Sequence, residues 1–451
     1  MSTALIVLAA GQGSRMNSDL PKVLHQVAGA PLLVHAMKSG AALAPERQVV
    51  VVGHGGAQVA EAARRWDDEI QIAEQTEQLG TAHAVAQARP ALEGFTGDAI
   101  VLYGDTPFIS PDTIEQMVQA RSAHDVVILG FEAADPGRYG RLVMNGDKLE
   151  RIVEFKDATE AERAITLCNS GVVCAKAEVL FDLIDKVGND NASGEYYLTD
   201  IVGLAWDTGR SATAVTCAES ETMGVNTRAQ LAEAEAEFQS KMRAEMLENG
   251  ITMTAPETVF FAHDTIVGRD TIIEPNVVFG PEVTVESGAT IRAFSHLEGC
   301  HVSRGAIIGP YARLRPGAEI SEHAHVGNFV EVKNAMIGEG AKANHLTYIG
   351  DATIGKGTNI GAGTITCNYD GFFKHHTEIG ENAFIGSSTM LVAPVRVGHG
   401  AMTGSGSVVT TDVEDGALAL GRAKQVNKPK MAFKLMDMLR AKKAAAKKET
   451  N

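Results

Sequence analysis

A six-residue repeat in the C-terminal half constrains the fold of this chain more than any other feature. Apolar side chains recur every sixth residue in three series, broken once by a one-residue slip: Val267, Ile273, Phe279, Val285, Ile291, Leu297; Val302, Ile308, Leu314, Ile320, Val326, Val332; and Ile379, Ile385, Leu391, Val397, Thr403, Val409. A period of six matches neither an α-helix nor a simple hairpin sheet, and it is typical of a parallel β-helix. We therefore predict that these side chains point to the axis of stacked coils and form one continuous core.

Length and composition indicate a soluble protein of more than one domain. The chain has 451 residues, of which 45% are hydrophobic and 21% charged, which suits two or three ordinary globular domains. A net charge of −16 argues against a surface that binds nucleic acid. Five cysteines without a C-x-x-C pair favour reduced thiols over a disulfide framework or a zinc site. The apolar N-terminal run is too short to cross a bilayer, so we predict a cytoplasmic protein.

The N-terminal half has the pattern of an α/β domain. Apolar, strand-like runs alternate with helical patterns: Ala4–Ala10, Leu32–Leu43, Gln48–Gly53, Ala99–Tyr103, Thr113–His124 and Val126–Phe131. This alternation predicts a Rossmann-like, mostly parallel sheet. Ligands of such sheets bind at the carboxyl ends of the strands, so the loop after the first strand is the first candidate site.

That loop combines glycines with two cations. It lacks the Gly-Lys-Ser/Thr of a Walker motif, and Met16 stands where a Rossmann fingerprint has its third glycine. Gly11 and Gly13 can offer backbone N–H groups, and Arg15 and Lys22 add positive charge, which suits a polyphosphate. From the glycines alone, a plain turn with two solvated basic residues is an equally good interpretation.

The longer motif resembles a known family. Residues 8–22, LAAGQGSRMNSDLPK, are similar to the signature of sugar-phosphate nucleotidyltransferases, with Ser14 where threonine is usual. Further segments match in the family's order: Glu77–Thr81, Tyr103–Pro107, Tyr139–Arg141, Ile152–Glu154, Asn169–Gly171, Gly194–Asp200 and Gly224–Asn226. With a hexapeptide half attached, the chain resembles the bacterial family of bifunctional N-acetylglucosamine-1-phosphate uridyltransferase / glucosamine-1-phosphate N-acetyltransferase. The resemblance extends from about Ala4 to Arg422.

This resemblance implies a two-step synthesis of UDP-N-acetylglucosamine. The C-terminal domain would acetylate glucosamine-1-phosphate with acetyl-CoA. The N-terminal domain would then transfer uridylyl from UTP to N-acetylglucosamine-1-phosphate with Mg²⁺ and release pyrophosphate, feeding peptidoglycan and lipopolysaccharide precursor synthesis. The family also implies a left-handed β-helix, a homotrimer formed through it, and no membrane insertion. The implied domains are 1–227 (uridylyltransferase), 228–250 (helical linker) and 251–451 (acetyltransferase with a basic tail).

The uridylyltransferase site is expected around the phosphate loop. Asp105 follows a predicted strand, and a single carboxylate suits Mg²⁺, which takes its other ligands from phosphates and water; the resemblance adds Asn226 as a second metal ligand. Arg15 and Lys22 are the implied catalytic cations. The residues implied to bind UTP and the sugar are Leu8, Ala9, Ala10, Gly11, Lys22, Gln75, Gly80, Thr81, Tyr103, Gly104, Asp105, Gly140, Glu154, Asn169 and Asn226. Asp105 alone could be a turn residue, and Glu154 and Asn169 could be ordinary surface groups. Tyr197 and Thr199 stay open between shaping the sugar pocket and packing.

A second site is expected where the hexapeptide count breaks. The regular count is interrupted between Ile337 and Ile379, in segments 343–348 and 367–374, and the second segment has the pattern of an extruded loop. Function in a solenoid is expected at such departures from the repeat. His345 lies in the first segment, and a neutral imidazole can take the proton that acetylation of an ammonium releases. A lone histidine is more often a surface or corner residue, but residues 344–351, NHLTYIGD, resemble the family's acetyltransferase motif, which favours a general base.

The resemblance assigns the other residues of this acetyltransferase site. Arg315 and Lys333 would bind the sugar phosphate, while Tyr348 and Asn359 would orient the sugar. The backbone N–H of Ala362 would meet the thioester oxyanion. The residues implied to contact acetyl-CoA are Ala362, Asn368, Tyr369, Ser387, Ser405 and Arg422. Ser405 stands where relatives often have alanine. Cys367 is expected to be a small buried coil residue rather than a nucleophile.

Two further segments complete the sequence. Asn226–Asn249 has an apolar stripe at helical spacing and ends at Asn249-Gly250, which predicts one helix. The segment Lys424–Lys448 is basic and is expected to be a solvated tail.

Two alternatives to a bifunctional enzyme remain at this point. The first is a nucleotidyltransferase whose β-helix is only structural or regulatory. The second is a non-catalytic scaffold that keeps the fold. The intact set of Arg315, Lys333, His345 and Tyr348 argues against the first. The presence of Arg15, Lys22 and Asp105 argues against the second.

Overall fold

A computed structural model describes residues 2–449 and divides the chain into two compact units. The first unit holds the chain up to Gly250 together with Ala255–Thr265 and Val278–Glu282; the second holds Ile251–Thr254, Ile266–Val277 and the chain from Val283 onward. The chain therefore passes between the two units several times between Gly250 and Val283.

The first unit is an α/β domain. Its strands are β1 Thr3–Ala9, β2 Gln26–Val27, β3 Ala30–Pro31, β4 Arg47–Val52, β5 Gln71–Glu74, β6 Asp98–Tyr103, β7 Val126–Glu132, β8 Arg141–Asn145, β9 Lys148–Val153, β10 Leu167–Lys176 and β11 Ala212–Cys217. Its helices are α1 Leu32–Ala41, α2 Gly56–Trp66, α3 Thr81–Ala86, α4 Pro111–Arg121, α5 Glu160–Arg163, α6 Ala177–Ile184, α7 Asp200–Asp207 and α8 Arg228–Glu248. The strands and helices predicted for this half are confirmed, with small differences at their ends.

The main sheet has the strand order β11-β7-β10-β6-β1-β4-β5. Strand β1 is parallel to β4 and β6, as predicted, but β10 is antiparallel to both β6 and β7. In chain order, the β8–β9 hairpin lies between β7 and β10. A parallel neighbour usually follows a helical crossover, and here the chain returns through the hairpin and enters the sheet from its other end.

Strand β1 is buried on both faces of this sheet. Ala4, Ile6 and Leu8 belong to one hydrophobic cluster, and the alternate residues of the strand belong to the cluster on the opposite face. Because successive side chains of a strand point to opposite faces, two such clusters require layers of helices on both sides. The uninterrupted apolar run of β1 follows from this double burial.

Helix α8 packs within the first unit through a polar residue as well as an apolar stripe. The Thr227 side chain caps it by accepting from the Gln230 N–H, and Asn249 ends it as predicted. The Gln239 side chain is 1% exposed. Its amide donates to the Phe261 carbonyl (2.7 Å) and accepts from the Phe261 N–H (2.9 Å). A buried amide with both groups bonded stabilises the helix against this segment.

The second unit consists of short parallel strands. In chain order the strands are β12 Thr252–Met253, β13 Ile266–Val267, β14 Ile272–Ile273, β15 Val278–Phe279 (in the first unit), β16 Val283–Val285, β17 Thr290–Ile291, β18 His296–Leu297, β19 Cys300–Val302, β20 Ile307–Ile308, β21 Arg313–Leu314, β22 Ala318–Ile320, β23 His325–Ile337, β24 Lys342–Ile354, β25 Asn359–Ile360, β26 Ile365–Cys367, β27 Thr377–Ile379, β28 Phe384–Ile385, β29 Met390–Val392, β30 Val395–Val397, β31 Met402–Thr403, β32 Val408–Val409 and β33 Leu418–Ala419. Strands three apart pair in parallel, so three hexapeptides make one coil. This is the arrangement of the predicted left-handed parallel β-helix.

The apolar residues of the repeat form the core of these coils. Every residue of the three series is buried except Val267, which is half-buried. Partners in successive coils are separated by three full hexapeptides where the repeat is regular, as for Ile272 and Thr290. The separation is one residue shorter for partners on either side of the slip, as for Val285 and Val302. The slip is therefore absorbed as a shorter turn while the core position is kept.

The two predicted interruptions differ. Segment 343–348 lies inside the continuous strand β24, where His345 pairs with Asn328 in the same register that holds along the whole of β23 and β24. It is therefore no insertion, and the prediction of a break there is wrong. The next coil is longer, since Ala352 pairs back with Ala335 but forward only with Thr377. The loop between Cys367 and Thr377 adds the extra residues, so the predicted extruded loop is confirmed.

Neighbouring isoleucines on one coil provide a test of the core. Ile273 is 0% exposed, whereas Ile272 beside it is 45% exposed. We expect Ile273→Ala to lower the free energy of unfolding of the β-helix by about 2–5 kcal/mol. Ile272→Ala should change it by no more than about 0.5 kcal/mol. Thermal denaturation of both variants would measure this; equal losses would contradict the inward direction of the repeat.

The last described element is helix α9, Met431–Glu449, which covers most of the predicted tail. Its side chains are exposed as far as they are described. No helix within residues 2–449 is long and apolar enough to cross a membrane.

Candidate active sites

The phosphate loop follows β1 and is shaped by its glycines. Gly13 has a φ of 62°, and a Cβ there would lie 2.5 Å from Cβ of Lys22, so glycine allows the close approach of that lysine. Gly11 is different, because a Cβ there would have no atom within 4 Å. Protein packing does not require glycine at position 11, but a ligand lying against the backbone would. Met16 is 0% exposed and anchors the turn Ser14–Met16.

Four predicted residues come together beside this loop. The Lys22 ammonium contacts Oδ2 of Asp105 and lies 2.9 Å from Oδ1 of Asn226. One guanidinium nitrogen of Arg15 lies 3.0 Å from the same Asn226 oxygen. The Val225 N–H donates to the Asp105 carbonyl (2.9 Å) and so holds the two segments together. The sequence predicted all four side chains, although they come from three separate segments.

These oxygens fit the predicted Mg²⁺. Within the described part of the chain, no group of three or more His, Cys, Asp or Glu residues could enclose a metal ion. Asp105 and Asn226 instead present one carboxylate and one amide oxygen to a single point, and the Lys22 ammonium shows that positive charge is accepted there. Mg²⁺ bound with phosphates needs only one or two protein oxygens.

A cleft of about 360 Å³ opens from the loop. Predicted residues that line it are Leu8, Ala9, Ala10, Gly11, Lys22, Gln75, Gly80, Thr81, Tyr103 and Asp105. Gly104 lies beside it and donates its N–H to the Leu8 carbonyl (2.9 Å). Sequence reasoning did not single out Gln12 and Gln78, which are joined across the cleft by a 3.0 Å hydrogen bond. Glu195 also lines the cleft, and its only signal was a place inside a matching family segment.

A second cleft of about 540 Å³ shares Thr81 and Tyr103 with the first and holds the predicted sugar residues Glu154 and Asn169. The Asn169 N–H donates to the Gly140 carbonyl (2.9 Å), which brings Gly140 to this cleft. Residues that sequence reasoning missed or left open also line it: Arg138, Phe155, Lys156, Tyr197 and Thr199. Thr199 donates a hydrogen bond to Oε1 of Glu154 (3.3 Å).

Burial raises the pKa values of two acidic groups in this cleft. It raises the pKa of the Glu154 carboxyl, and the hydrogen bond from Thr199 only partly opposes that shift. Burial, with the negative charges of Asp105 and Glu154, raises the pKa of the Tyr103 hydroxyl. Tyr103 is therefore a neutral hydrogen-bonding group at working pH.

The raised pKa of Glu154 predicts a pH-dependent stability. A carboxyl whose folded pKa exceeds its unfolded value stabilises the fold below the ordinary glutamate pKa of about 4.3, and this stabilisation is lost as pH rises through the folded pKa. Glu154→Gln cannot ionise, so its melting temperature should gain on the wild type between about pH 4 and pH 7. Glu61→Gln, at an exposed position of helix α2, is the control. A difference that stays constant with pH would contradict this cause.

The second site surrounds His345 on β24. Its Nδ1 lies 2.8 Å from Oδ1 of Asn328 on the preceding coil. Its carbonyl accepts from the Thr347 hydroxyl (2.7 Å) and the Gly363 N–H (3.3 Å). The backbone is thus fixed while the imidazole remains exposed.

A salt bridge and two hydrogen bonds hold other predicted residues of this site in place. Arg315 forms a 2.8 Å salt bridge to Glu331, and its Nε is buried without a partner among the described residues. Lys333 follows Glu331 closely on the same strand. The Asn368 amide lies 3.5 Å from the Tyr348 hydroxyl and also donates to Asp351.

The structure also locates the residues predicted for the thioester and coenzyme. The Ala362 N–H makes no hydrogen bond within residues 2–449, while its carbonyl accepts from the Ser388 N–H (2.7 Å). Asn359 begins β25, and Tyr369 is exposed on the extruded loop. Ser387 and Ser405 lie on successive coils: the Gly406 N–H donates to the Ser387 carbonyl, and Arg422 donates to that of Ser405 (2.7 Å).

Cys367 lies close to these residues but does not suit nucleophilic chemistry. It is half-buried rather than fully buried, and burial raises the pKa of its thiol. A reactive cysteine needs a lowered thiol pKa. The expectation that Cys367 is no nucleophile is consistent with this environment.

Comparison with known proteins gives the family. A family model described as a MobA-like NTP transferase domain matches residues 5–170, and one described as bacterial transferase hexapeptide (six repeats) matches residues 376–411. A protein of Ruegeria sp. (strain TM1040) named Bifunctional protein GlmU is 69% identical over 99% of this chain and 100% of its own length. A protein of Ruegeria pomeroyi with the same name is 69% identical over the whole of both chains. The chain belongs to the bifunctional GlmU family. It is therefore a transferase with a nucleotidyltransferase domain and a hexapeptide acetyltransferase domain. The GlmU family uses Mg²⁺, with UTP and acetyl-CoA as co-substrates.

Proposed function

We propose that the cleft beside the phosphate loop transfers uridylyl from UTP to N-acetylglucosamine-1-phosphate. The observation that carries this proposal is the convergence of Arg15, Lys22, Asp105 and Asn226 at the mouth of a cleft lined by glycine backbone. Two anions must meet in this reaction, so charge neutralisation and alignment are the main requirements.

The residues divide this task between them. Gly11 and the backbone of residues 8–10 border the nucleotide, with Gln75, Gly80 and Thr81 on its uridine side. Glu154, Asn169 and Gly140 hold the sugar in the neighbouring cleft, together with Asn226 beside the phosphate loop. Asp105 and Asn226 would hold Mg²⁺, which would supply positive charge to neutralise the phosphates. Arg15 and Lys22 stabilise the charge that develops as the sugar-phosphate oxygen attacks the α-phosphorus and pyrophosphate leaves.

The second site transfers the acetyl group. Arg315 and Lys333 bind the phosphate of glucosamine-1-phosphate, and Tyr348 and Asn359 orient its amine toward the thioester. His345 takes the proton from the amine as the new C–N bond forms and the C–S bond breaks, and the departing thiolate takes up a proton. The free N–H of Ala362 supports its role as donor to the oxyanion. Asn368, Tyr369, Ser387, Ser405 and Arg422 hold acetyl-CoA.

Three further properties belong to this proposal. The chain works as a homotrimer formed through the β-helix, and a column of exposed stacked aromatic rings on its coils, Phe294, Tyr311 and Phe329, supports burial against other copies. Its division into 1–227, 228–250 and 251–451 separates the two reactions. The enzyme is cytoplasmic, where UTP and acetyl-CoA are available.

The two half reactions of the purified chain test the proposal. Acetyl transfer from acetyl-CoA to glucosamine-1-phosphate should proceed in EDTA, whereas pyrophosphate release from UTP should stop and return when Mg²⁺ is added. Light scattering should give three times the mass of one chain. A preparation that releases pyrophosphate but transfers no acetyl group would show that the β-helix is only structural or regulatory.

A further inference from the structure

The hydrogen bond between Asn328 and His345 has no place in the roles assigned so far. The two residues occupy equivalent positions on successive coils, since they pair in the register of β23 and β24. Each is followed by a residue with positive φ, Phe329 at 56° and Leu346 at 50°. The coil thus turns at the same point in both layers and places the asparagine amide directly beside the imidazole, with 2.8 Å between Oδ1 and Nδ1.

The chemistry of the pair depends on which nitrogen of His345 carries the proton. A neutral imidazole has one N–H donor and one nitrogen acceptor. An amide oxygen can only accept, so its contact with Nδ1 requires the proton on Nδ1 and leaves the lone pair of Nε2 free. The reversed amide would donate to Nδ1 and put the proton on Nε2, where it would block proton uptake by that atom.

We propose that Asn328 is a positioning residue that holds His345 in the Nδ1–H tautomer, so that Nε2 is the atom that accepts the proton from the substrate amine. This inference rests on the proposed role of His345 as general base. Asn328 itself touches neither the amine nor the thioester in this role; it acts through the imidazole, as groups that orient a histidine do elsewhere.

Nitrogen NMR of the full-length protein gives the direct test. With selective ¹⁵N-histidine labelling and magic-angle spinning, the His345 signals are those lost in His345→Gln among the 14 histidines. The wild type should show a protonated Nδ1 and a bare Nε2. A wild-type spectrum with the proton on Nε2 would overturn the proposal, whatever any variant does.

Variants at position 328 add a kinetic readout. Asn328→Leu should shift the signal toward Nε2–H and lower kcat for acetyl transfer by roughly 10- to 100-fold, less than loss of the base itself, with little change in KM for either substrate. Asn328→Asp can only accept from Nδ1 and should restore the Nδ1–H signal and most of the rate. Uridylyl transfer by the same preparations is the internal control for enzyme concentration, and an unchanged melting temperature is the control for folding of the β-helix. An Asn328→Leu enzyme with wild-type kcat would overturn the proposal.

The outcome also separates this inference from the proposed function. If His345→Gln retained acetyl transfer, the base assignment itself would fail. If His345→Gln lost acetyl transfer while Asn328→Leu kept both the Nδ1–H signal and the wild-type rate, only the positioning role would fail.

Discussion

Arg15→Ala is expected to lower kcat/KM for UTP-dependent pyrophosphate release by about 10²- to 10³-fold, the usual effect of removing one donor that stabilises a charged transition state. Arg15 reaches the same Asn226 oxygen that Lys22 contacts, and so places a second cation beside the metal ligands. A guanidinium cannot lose its charge near neutral pH, so the effect should persist across the working pH range.

The control for this variant is Arg65→Ala. Arg65 is an exposed arginine on helix α2 that pairs with Glu61, and exposed pairs contribute little to stability. We expect wild-type rates from it in both assays. A wild-type rate of pyrophosphate release from Arg15→Ala would contradict the role of Arg15. An unchanged melting temperature would show that the variant is folded.

His345→Ala is expected to have the second large effect, a loss of acetyl transfer of about 10²- to 10⁴-fold, which is the range for removal of a general base. The imidazole is exposed and its backbone is held by Thr347 and Gly363. Because no packed core depends on this side chain, its removal should leave the melting temperature unchanged.

His301→Ala is the matched control in the same β-helix. His301 lies between Glu286 and Glu319, 3.2 and 3.3 Å away, on coils before that of His345. It shares the solenoid environment without a contact to any residue assigned to the acetyl site. We expect normal acetyl transfer from it, and rates of His345→Ala equal to those of His301→Ala would contradict the base assignment.

The periodic parts of this fold could be predicted because its buried positions recur at the same spacing as the apolar residues of the sequence. Residues such as Ile291 and Ile308 recur at the coil spacing, so their inward direction follows from the pattern alone. Likewise β1 is apolar at every position because it is covered on both faces. The antiparallel β10 has no such local signal, since its direction depends on the route of the chain through the β8–β9 hairpin.

The same distinction applies to the candidate sites. Lys22 and Asp105 lie in recognisable motifs, so sequence alone could place them in one site. Asn328 could not be found in this way, because its contact with His345 joins two successive coils and depends on where the coils lose one residue. Gln239 is similar: a polar side chain within a helical stripe becomes buried only through the backbone of Phe261.

The most direct measurement of two independent active sites is to assay Arg15→Ala and His345→Ala side by side in both half reactions. We expect Arg15→Ala to lose pyrophosphate release from UTP while keeping acetyl transfer from acetyl-CoA to glucosamine-1-phosphate. His345→Ala should show the reverse. If either variant lost both activities while its melting temperature stayed that of the wild type, the assignment of each reaction to its own site would be wrong.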